Sequence, residues 1–341
     1  MADLSERKQK ILSAIVEQYI ATGEPVGSKA LAGHPELSVS SATVRNEMAE
    51  LASMGYLDQP HTSAGRVPTE KAYRYYIDNL MERRQPDEED KRLMDATLKN
   101  RWVDPETVLE QAGELLAEMT NYAAVSTTPA DEQATISRVE LVPMGSRKAM
   151  LVLLTSTGVL KSRLCRTETA LTPAMVESFY HIVGSAFLSV PVCEINMVTI
   201  QTLAASLGEN ALAMTPLLIT LAELARDASQ SDIILEGETN LLNHRELDMD
   251  AAQLLGFLQK AHPIANVAIP EDGLRVIIGR ENPYKELENS SFVVARYNIG
   301  ENTGGSLGII GPVRMNYERV ISNLEYITAL VGKFLSEALE D

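Results

Sequence analysis

Arg45 and Asn46 stand side by side in the run Ser40-Ser41-Ala42-Thr43-Val44-Arg45-Asn46-Glu47-Met48-Ala49-Glu50-Leu51. They are the side-chain types that make paired hydrogen bonds to base edges, Arg to guanine and Asn to adenine. Val44, Met48 and Leu51 repeat at spacings of four and three, so a helix here buries that stripe and turns Ala42, Arg45, Asn46 and Ala49 outward. Small alanines around two long polar side chains let a helix backbone sit deep in a groove. Ser40 or Ser41 supplies the N-cap, and the free amides of the helix start are natural phosphate ligands. Alone, the pattern also describes any amphipathic helix with a polar exterior, so the downstream sequence has to decide between the two.

That downstream segment is Gln59-Pro60-His61-Thr62-Ser63-Ala64-Gly65-Arg66-Val67-Pro68. Gly65 permits a tight turn, Arg66 follows it in the hairpin, and His61, Thr62 and Ser63 offer short polar contacts to phosphate or minor groove. Two helices must come first to position the pair. The first carries Ile11, Leu12, Ile15, Val16, Tyr19 and Ile20 at helical spacing, begins at Asp3 or Ser5 and ends at Gly23. The second, short one runs from Gly27-Ser28 through Leu31 and Ala32, and Gly33-His34-Pro35 breaks it. Three helices followed by a hairpin is the winged-helix order. Thr69 then caps a helix with Tyr73, Tyr75 and Tyr76, a cluster able to stack on bases but, at this spacing, expected to pack on the winged domain or across a dimer.

The net charge of −17 opposes nucleic-acid binding as a sum, but not as a distribution. Residues 1–85 hold 10 Lys and Arg against 11 Asp and Glu, leaving 20 against 36 for the remainder. A near-neutral N-terminal domain on an acidic body makes non-specific DNA binding feeble, so specific binding has to come from a few aimed contacts multiplied by dimerisation. The longest apolar runs, such as Ala149-Met150-Leu151-Val152-Leu153-Leu154, fall far short of the roughly 18 residues that a membrane span needs. The polar N-terminus has no signal-peptide core, so a cytoplasmic protein with no membrane partner is expected. Cys165 and Cys193 are the two cysteines and read as buried thiols rather than a disulfide framework.

At 341 residues the chain should form two or three domains. A charge-dense connector around Pro86 closes the first, and Asp104-Pro105 opens a helix with Val108, Ala112, Leu115, Leu116 and Met119 inward. Alternation over residues 135–143, 148–156 and 158–166 predicts antiparallel hairpins. A mostly helical block follows at 171–228, then a strand at 232–237, a helix at 250–261, strands at 274–278, 291–297 and 306–311, and a last helix at 316–338. Strands, helices, then strands again is the pattern of an α+β domain interrupted by an insertion.

Together these segments resemble the HrcA family of heat-inducible transcription repressors along the whole chain. The resemblance is carried by Ser41-Ala42-Thr43-Val44-Arg45-Asn46-Glu47-Met48, by Ser63-Ala64-Gly65-Arg66-Val67-Pro68-Thr69-Glu70-Lys71 with Tyr73-Arg74, by Ile277-Ile278-Gly279 with Glu281-Asn282-Pro283-Tyr284, and by Gly308-Ile309-Ile310-Gly311-Pro312 with Arg314-Met315-Asn316-Tyr317. It implies a multi-domain α+β homodimer: a winged-helix DNA-binding domain at 1–85, a linker and helix at 86–104, a GAF-like domain at 105–170 and 268–341, and an inserted dimerisation domain at 171–267. It also implies repression of chaperone operons from an inverted-repeat operator in double-stranded DNA, with a chaperonin keeping the repressor in its DNA-binding form. Carried over by position, Arg45 and Asn46 read bases, while Ser40, Ser41, Thr43, His61, Thr62, Ser63 and Arg66 position the backbone.

No enzyme, metal or cofactor is expected. The five histidines, His34, His61, His181, His244 and His262, lack metal-ligand spacing, and no His-Glu-x-x-His or Gly-x-Ser-x-Gly element occurs. The run Gly300-Glu301-Asn302-Thr303-Gly304-Gly305-Ser306 lies between two strands without a Gly-Lys-Ser/Thr ending and reads as a hairpin loop, not a phosphate loop. Two rival functions are a metabolite sensor with its ligand in the GAF-like domain, and a winged helix used only for protein contacts. The first predicts operator affinity that responds to metabolites, and the second predicts no specific DNA binding.

Overall fold

The structure is a computed structural model describing residues 4–33, 37, 39–61, 64–98, 105–130, 134–188, 190–206, 211–247, 251–258, 273–299 and 303–340. The chain divides into two compact units, one of residues 1–126, 233–296 and 306–331, the other of residues 127–232, 297–305 and 332–341.

The first unit starts with the expected winged helix: α1 (Glu6–Thr22), α2 (Ser28–Leu31), α3 (Ser41–Ser53), β1 (Leu57–Asp58) and β2 (Val67–Pro68). Gly23 ends α1 in the left-handed conformation, φ 69°, as its position predicts. Ile11, Leu12, Ile15 and Val16 of α1 are buried with Leu31, Val44, Met48 and Leu51, so the apolar stripes of all three helices share one core. Thr69 caps α4 (Glu70–Tyr75) by accepting from the Ala72 amide.

Beyond it lie α5 (Glu88–Leu98) and α6 (Pro105–Thr120). A five-stranded sheet follows, with β3 (Ala123–Ala130), β7 (Ile233–Glu236), β8 (Leu274–Ile278), β9 (Ser290–Ile299) and β10 (Thr303–Pro312) in the order β7-β3-β10-β9-β8. One sheet face is covered by α10 (Ala251–Leu258) and short helical turns, burying Val125, Leu254, Phe257, Ile277, Phe292 and Val294 together. The last helix, α11 (Tyr317–Glu340), has Val320, Leu324, Ile327 and Val331 buried at helical spacing.

The second unit contains β4 (Ile136–Gly145), β5 (Lys148–Thr155) and β6 (Leu160–Arg166), an antiparallel sheet in the order β4-β5-β6. With it are α7 (Pro173–Ala186), α8 (Met197–Ser206) and α9 (Ala211–Ser229). Val139, Leu141, Leu151, Leu153 and Cys165 from one sheet face form one core with Phe179, Val183, Leu217, Leu221 and Ala225 from the helices. The hairpins at 135–166 therefore belong with the helical block and not, as the strand–helix–strand order alone suggests, with the domain flanking it. Strand β7, expected inside the insertion, pairs with β3 of the other sheet. Alternation announces a half-covered strand but does not say which layer covers it.

Candidate DNA interface

Ser40 is the N-cap of α3, its Oγ accepting from the Thr43 amide at 3.2 Å and lying 2.9 Å from Thr43 Oγ1. Ser41 comes one residue later, with its Oγ 3.3 Å from Ser28 Oγ on α2. This contact links the two helices. Val44, Met48 and Leu51 are buried, while Ala42, Arg45, Asn46 and Ala49 are exposed as their spacing requires.

Glu47, also on α3, is only 4% exposed, which its acidic type did not foretell. Its carboxylate accepts from Arg7 Nε at 2.6 Å and pairs with Lys8 Nζ at 3.0 Å, and Lys8 also reaches Glu50 at 2.8 Å. Burial pushes the Glu47 carboxyl up, but the hydrogen bonds from Lys8 and Arg7 outweigh it and hold the group below the usual carboxylate value. The recognition helix is thus pinned to α1 by charge as well as by its apolar stripe.

The wing is built from three extended segments. β1 and β2 pair antiparallel, Leu57 opposite Pro68 and Asp58 opposite Val67, and Arg66 exchanges backbone hydrogen bonds with Val26 at 2.8 and 2.9 Å. Gly65 is required by this close approach, and it has no left-handed φ to explain it as a turn glycine. A Cβ there would stand 2.5 Å from the Val26 carbonyl oxygen and 2.7 Å from that of Pro25. The Arg66 guanidinium donates to Gln59 Oε1 at 2.5 Å, and Gln59 Nε2 donates to the Ala64 carbonyl at 3.2 Å, bracing the wing from within. His61 is exposed, and Thr62 and Ser63 lie outside the described residues. Tyr73, Tyr75 and Tyr76 are buried, and Tyr75 meets Tyr56 edge-on at 5.5 Å, so the tyrosine cluster is core and does not stack on bases.

Between α3 and the wing runs a groove lined by Ser28, Lys29, Arg45, Ala49, Gln59 and Arg66. The cations of residues 1–85 are unevenly committed. Arg7, Lys8, Lys10, Arg74, Arg83 and Arg84 sit in ion pairs, and Lys71 donates to the Met54 carbonyl and lies over the Tyr56 ring. Lys29, Arg45 and Arg66 have no carboxylate partner among the described residues, and all three line the groove, Arg66 with its guanidinium also hydrogen-bonded to Gln59. Opposing charges elsewhere cancel, so a near-neutral domain presents one positive cleft. The sequence reading missed Lys29. Its signal was a cation on α2, the helix preceding the recognition helix, in a segment otherwise short of charge.

Among the described residues no cluster of three metal-ligand side chains occurs, and no helix is long and apolar enough to cross a membrane. Cys165 is buried with its Sγ donating to the Pro216 carbonyl at 3.4 Å, and burial pushes its thiol up, away from nucleophilic use. Cys193 is exposed, contrary to the expectation of two buried thiols.

A three-helix core, a recognition helix with Arg45 and Asn46 outward, and a braced wing beside a cationic groove define a winged helix-turn-helix DNA-binding protein. Residues 3–81 match the family described as "Winged helix-turn-helix transcription repressor, HrcA DNA-binding", and residues 106–321 match "HrcA protein C terminal domain". The chain is 34% identical to the heat-inducible transcription repressor HrcA of Pelotomaculum thermopropionicum, covering 99% of this chain and 97% of that one. It is 32% identical to the same repressor of Acetivibrio thermocellus, over 98% and 99%. A crystal structure of a hypothetical protein superposes with a TM-score of 0.68 at 27% identity, covering 98% of this chain and 100% of that one. The chain belongs to the HrcA family of heat-inducible transcription repressors.

Proposed function

We propose that two copies of this chain repress chaperone operons in the cytoplasm by binding an inverted-repeat operator, with a chaperonin returning heat-unfolded repressor to its binding form. The observation that carries the DNA-binding part is the groove: Arg45 and Asn46 exposed between Ala42 and Ala49, with Lys29 and Arg66 nearby as cations that no carboxylate among the described residues pairs with. In this reading Arg45 and Asn46 read base edges in the major groove, while Ser40, Ser41, Thr43, His61, Thr62, Ser63, Arg66 and Lys29 engage phosphates and sugars.

Three cations per winged helix are few for tight binding, which favours a dimer with two half-sites. The outer face of the β4-β5-β6 sheet supports dimerisation through the second unit. Val142, Met150 and Leu164 align across the three strands by register, and Val142, Leu160 and Leu164 are 45%, 63% and 56% exposed. A covering partner would remove this apolar surface from water. The first unit, with its sheet and overlying helix, is assigned the GAF-like role. Its covered sheet face is filled by Phe257, Phe292 and their neighbours, so no observation favours the metabolite-sensing alternative.

The chain path supports the reading of chaperonin dependence. Sheet strands far apart in sequence, such as β3 and β10, must pair across the inserted unit, which slows folding and exposes apolar edges meanwhile. The deciding experiment selects bound sites from random duplex DNA with the full chain, then follows recovery of operator binding after mild heating with and without chaperonin and nucleotide. An enriched inverted repeat and chaperonin-assisted recovery are expected. No enriched motif, or full recovery without chaperonin, refutes the corresponding half of the proposal.

A further inference from the structure

Two motifs, Glu281-Asn282-Pro283-Tyr284 and Arg314-Met315-Asn316-Tyr317, have no part in the DNA-facing groove. Their charged members instead fasten the winged helix to the sheet of the same unit. Arg74 on α4 donates from Nε to Glu281 Oε1 at 2.9 Å, and from Nη2 to Glu281 Oε2 and to the Val276 carbonyl, the latter at 2.7 Å. Glu281 is itself held by the Ile278 amide at 2.9 Å. Beside this fork Gly279, at φ 51°, comes so close to Glu70 that a Cβ would stand 2.5 Å from its carboxylate oxygen.

The second fastening runs the other way, from the body into the winged helix. Arg314, just after β10, donates from Nη1 to the Ile20 carbonyl at 2.7 Å, at the C-terminal end of α1, and from Nε to Glu246 at 2.6 Å. Its guanidinium lies 3.3 Å from where a Cβ on Gly23 would be. A fixed cation at a helix C-terminus satisfies free carbonyls and meets the negative end of the helix dipole. Tyr73 and Tyr317 are both buried with ring centroids 5.8 Å apart, and Tyr317 Oη lies 2.7 Å from Ser291 Oγ. The joint thus combines two forked polar anchors with a packed aromatic contact, which resists rotation better than either alone.

We infer that Arg74 and Arg314 are positioning residues for operator recognition: by holding α4 and the end of α1 they fix the direction in which the winged helix presents α3, and so the half-site separation that two copies can span. The inference rests on the dimer reading above. Recognition helices on rigid mounts accept one helical spacing, whereas hinged mounts accept several and lose effective concentration at the best one. Neither arginine lies at the groove, so contact with a single half-site does not depend on them.

The test measures affinity of the full chain for a single half-site and for inverted repeats whose centre is lengthened by half a helical turn. Wild type should disfavour the lengthened operator by at least about tenfold. Arg74→Ala and Arg314→Ala should hold half-site affinity within about twofold while shrinking that discrimination severalfold. Arg74→Glu combined with Glu281→Arg should recover part of it, a rescue that a general folding defect would not show. Sharp wild-type discrimination retained by both single variants overturns the inference alone. A wild-type chain indifferent to spacing overturns the dimer reading and this inference with it.

Discussion

Replacing Arg45 with Ala removes a side chain that is exposed, has no carboxylate partner among the described residues, and lies opposite the buried Val44, Met48 and Leu51. Alanine is a better helix former than arginine, so thermal stability should hold. If the guanidinium forks onto a guanine edge, its loss costs about 1–3 kcal/mol per half-site. Two half-sites give roughly 2–6 kcal/mol, or about 30-fold to 10⁴-fold in operator affinity. Salt dependence separates base reading from phosphate contact. Lys29, Arg45 and Arg66 on each of two winged helices set an upper slope of about −5 in log affinity against log salt. If Arg45 reads bases, Lys29 and Arg66 alone set a wild-type slope of about −3.6 and Arg45→Ala leaves it nearly unchanged, whereas if Arg45 contacts phosphate the substitution makes the steeper slope shallower by about 2 for the dimer. The assay is fluorescence anisotropy on the operator and on its single-base variants across roughly 50–200 mM salt. Equal weakening on every sequence with a shallower slope would show a phosphate contact, and unchanged affinity would remove Arg45 from recognition.

Gly65→Ala should destabilise the winged helix by about 1–3 kcal/mol and weaken operator binding, because its methyl meets the Val26 backbone rather than a movable side chain; an unchanged melting curve would refute the close-approach argument. Glu47, Glu246 and Glu281 all titrate below the usual carboxylate value of 4.5, since hydrogen bonds with Lys8 and Arg7, with its own backbone and Arg314, and with Arg74 respectively overcome the opposing effect of burial. Their stabilisation is complete above 4.5 and disappears as pH falls through the lower folded-state values, so acid unfolding should be shallower in a Glu47→Gln, Glu281→Gln variant than in wild type. Parallel acid profiles would argue against it. Leu164→Glu places a charge on the edge strand β6 of the exposed β4-β5-β6 face and should shift the chain toward monomer in sedimentation equilibrium, while an undisturbed dimer would move the interface elsewhere.

The sequence by itself determined the parts governed by local periodicity. The α3 stripe, the exposure of Arg45 and Asn46 and the three hairpin strands at 136–166 follow from spacings of three to four or of two along one segment, and the end of α1 follows from glycine's tolerance of the left-handed conformation at Gly23. Strand β3 escaped because Ala123, Ala124, Val125, Ser126 and Thr127 are buried in succession, so no alternation marks them. Only tertiary structure decided what depends on partners distant in the chain. Glu47 looks like a surface carboxylate until α1 brings Arg7 and Lys8 against it from forty residues away. Gly65 reads as a turn residue until the Val26 backbone is seen to occupy the space of its side chain. Lys29, Arg45 and Arg66 form a charged cleft only because the other cations of the N-terminal region are committed elsewhere. Arg314 is one arginine after a strand until folding sets it beneath the α1 carbonyls nearly three hundred residues earlier. Side-chain periodicity is a property of one segment, whereas burial, charge pairing and close approach belong to pairs of segments, and the fold alone brings those pairs together.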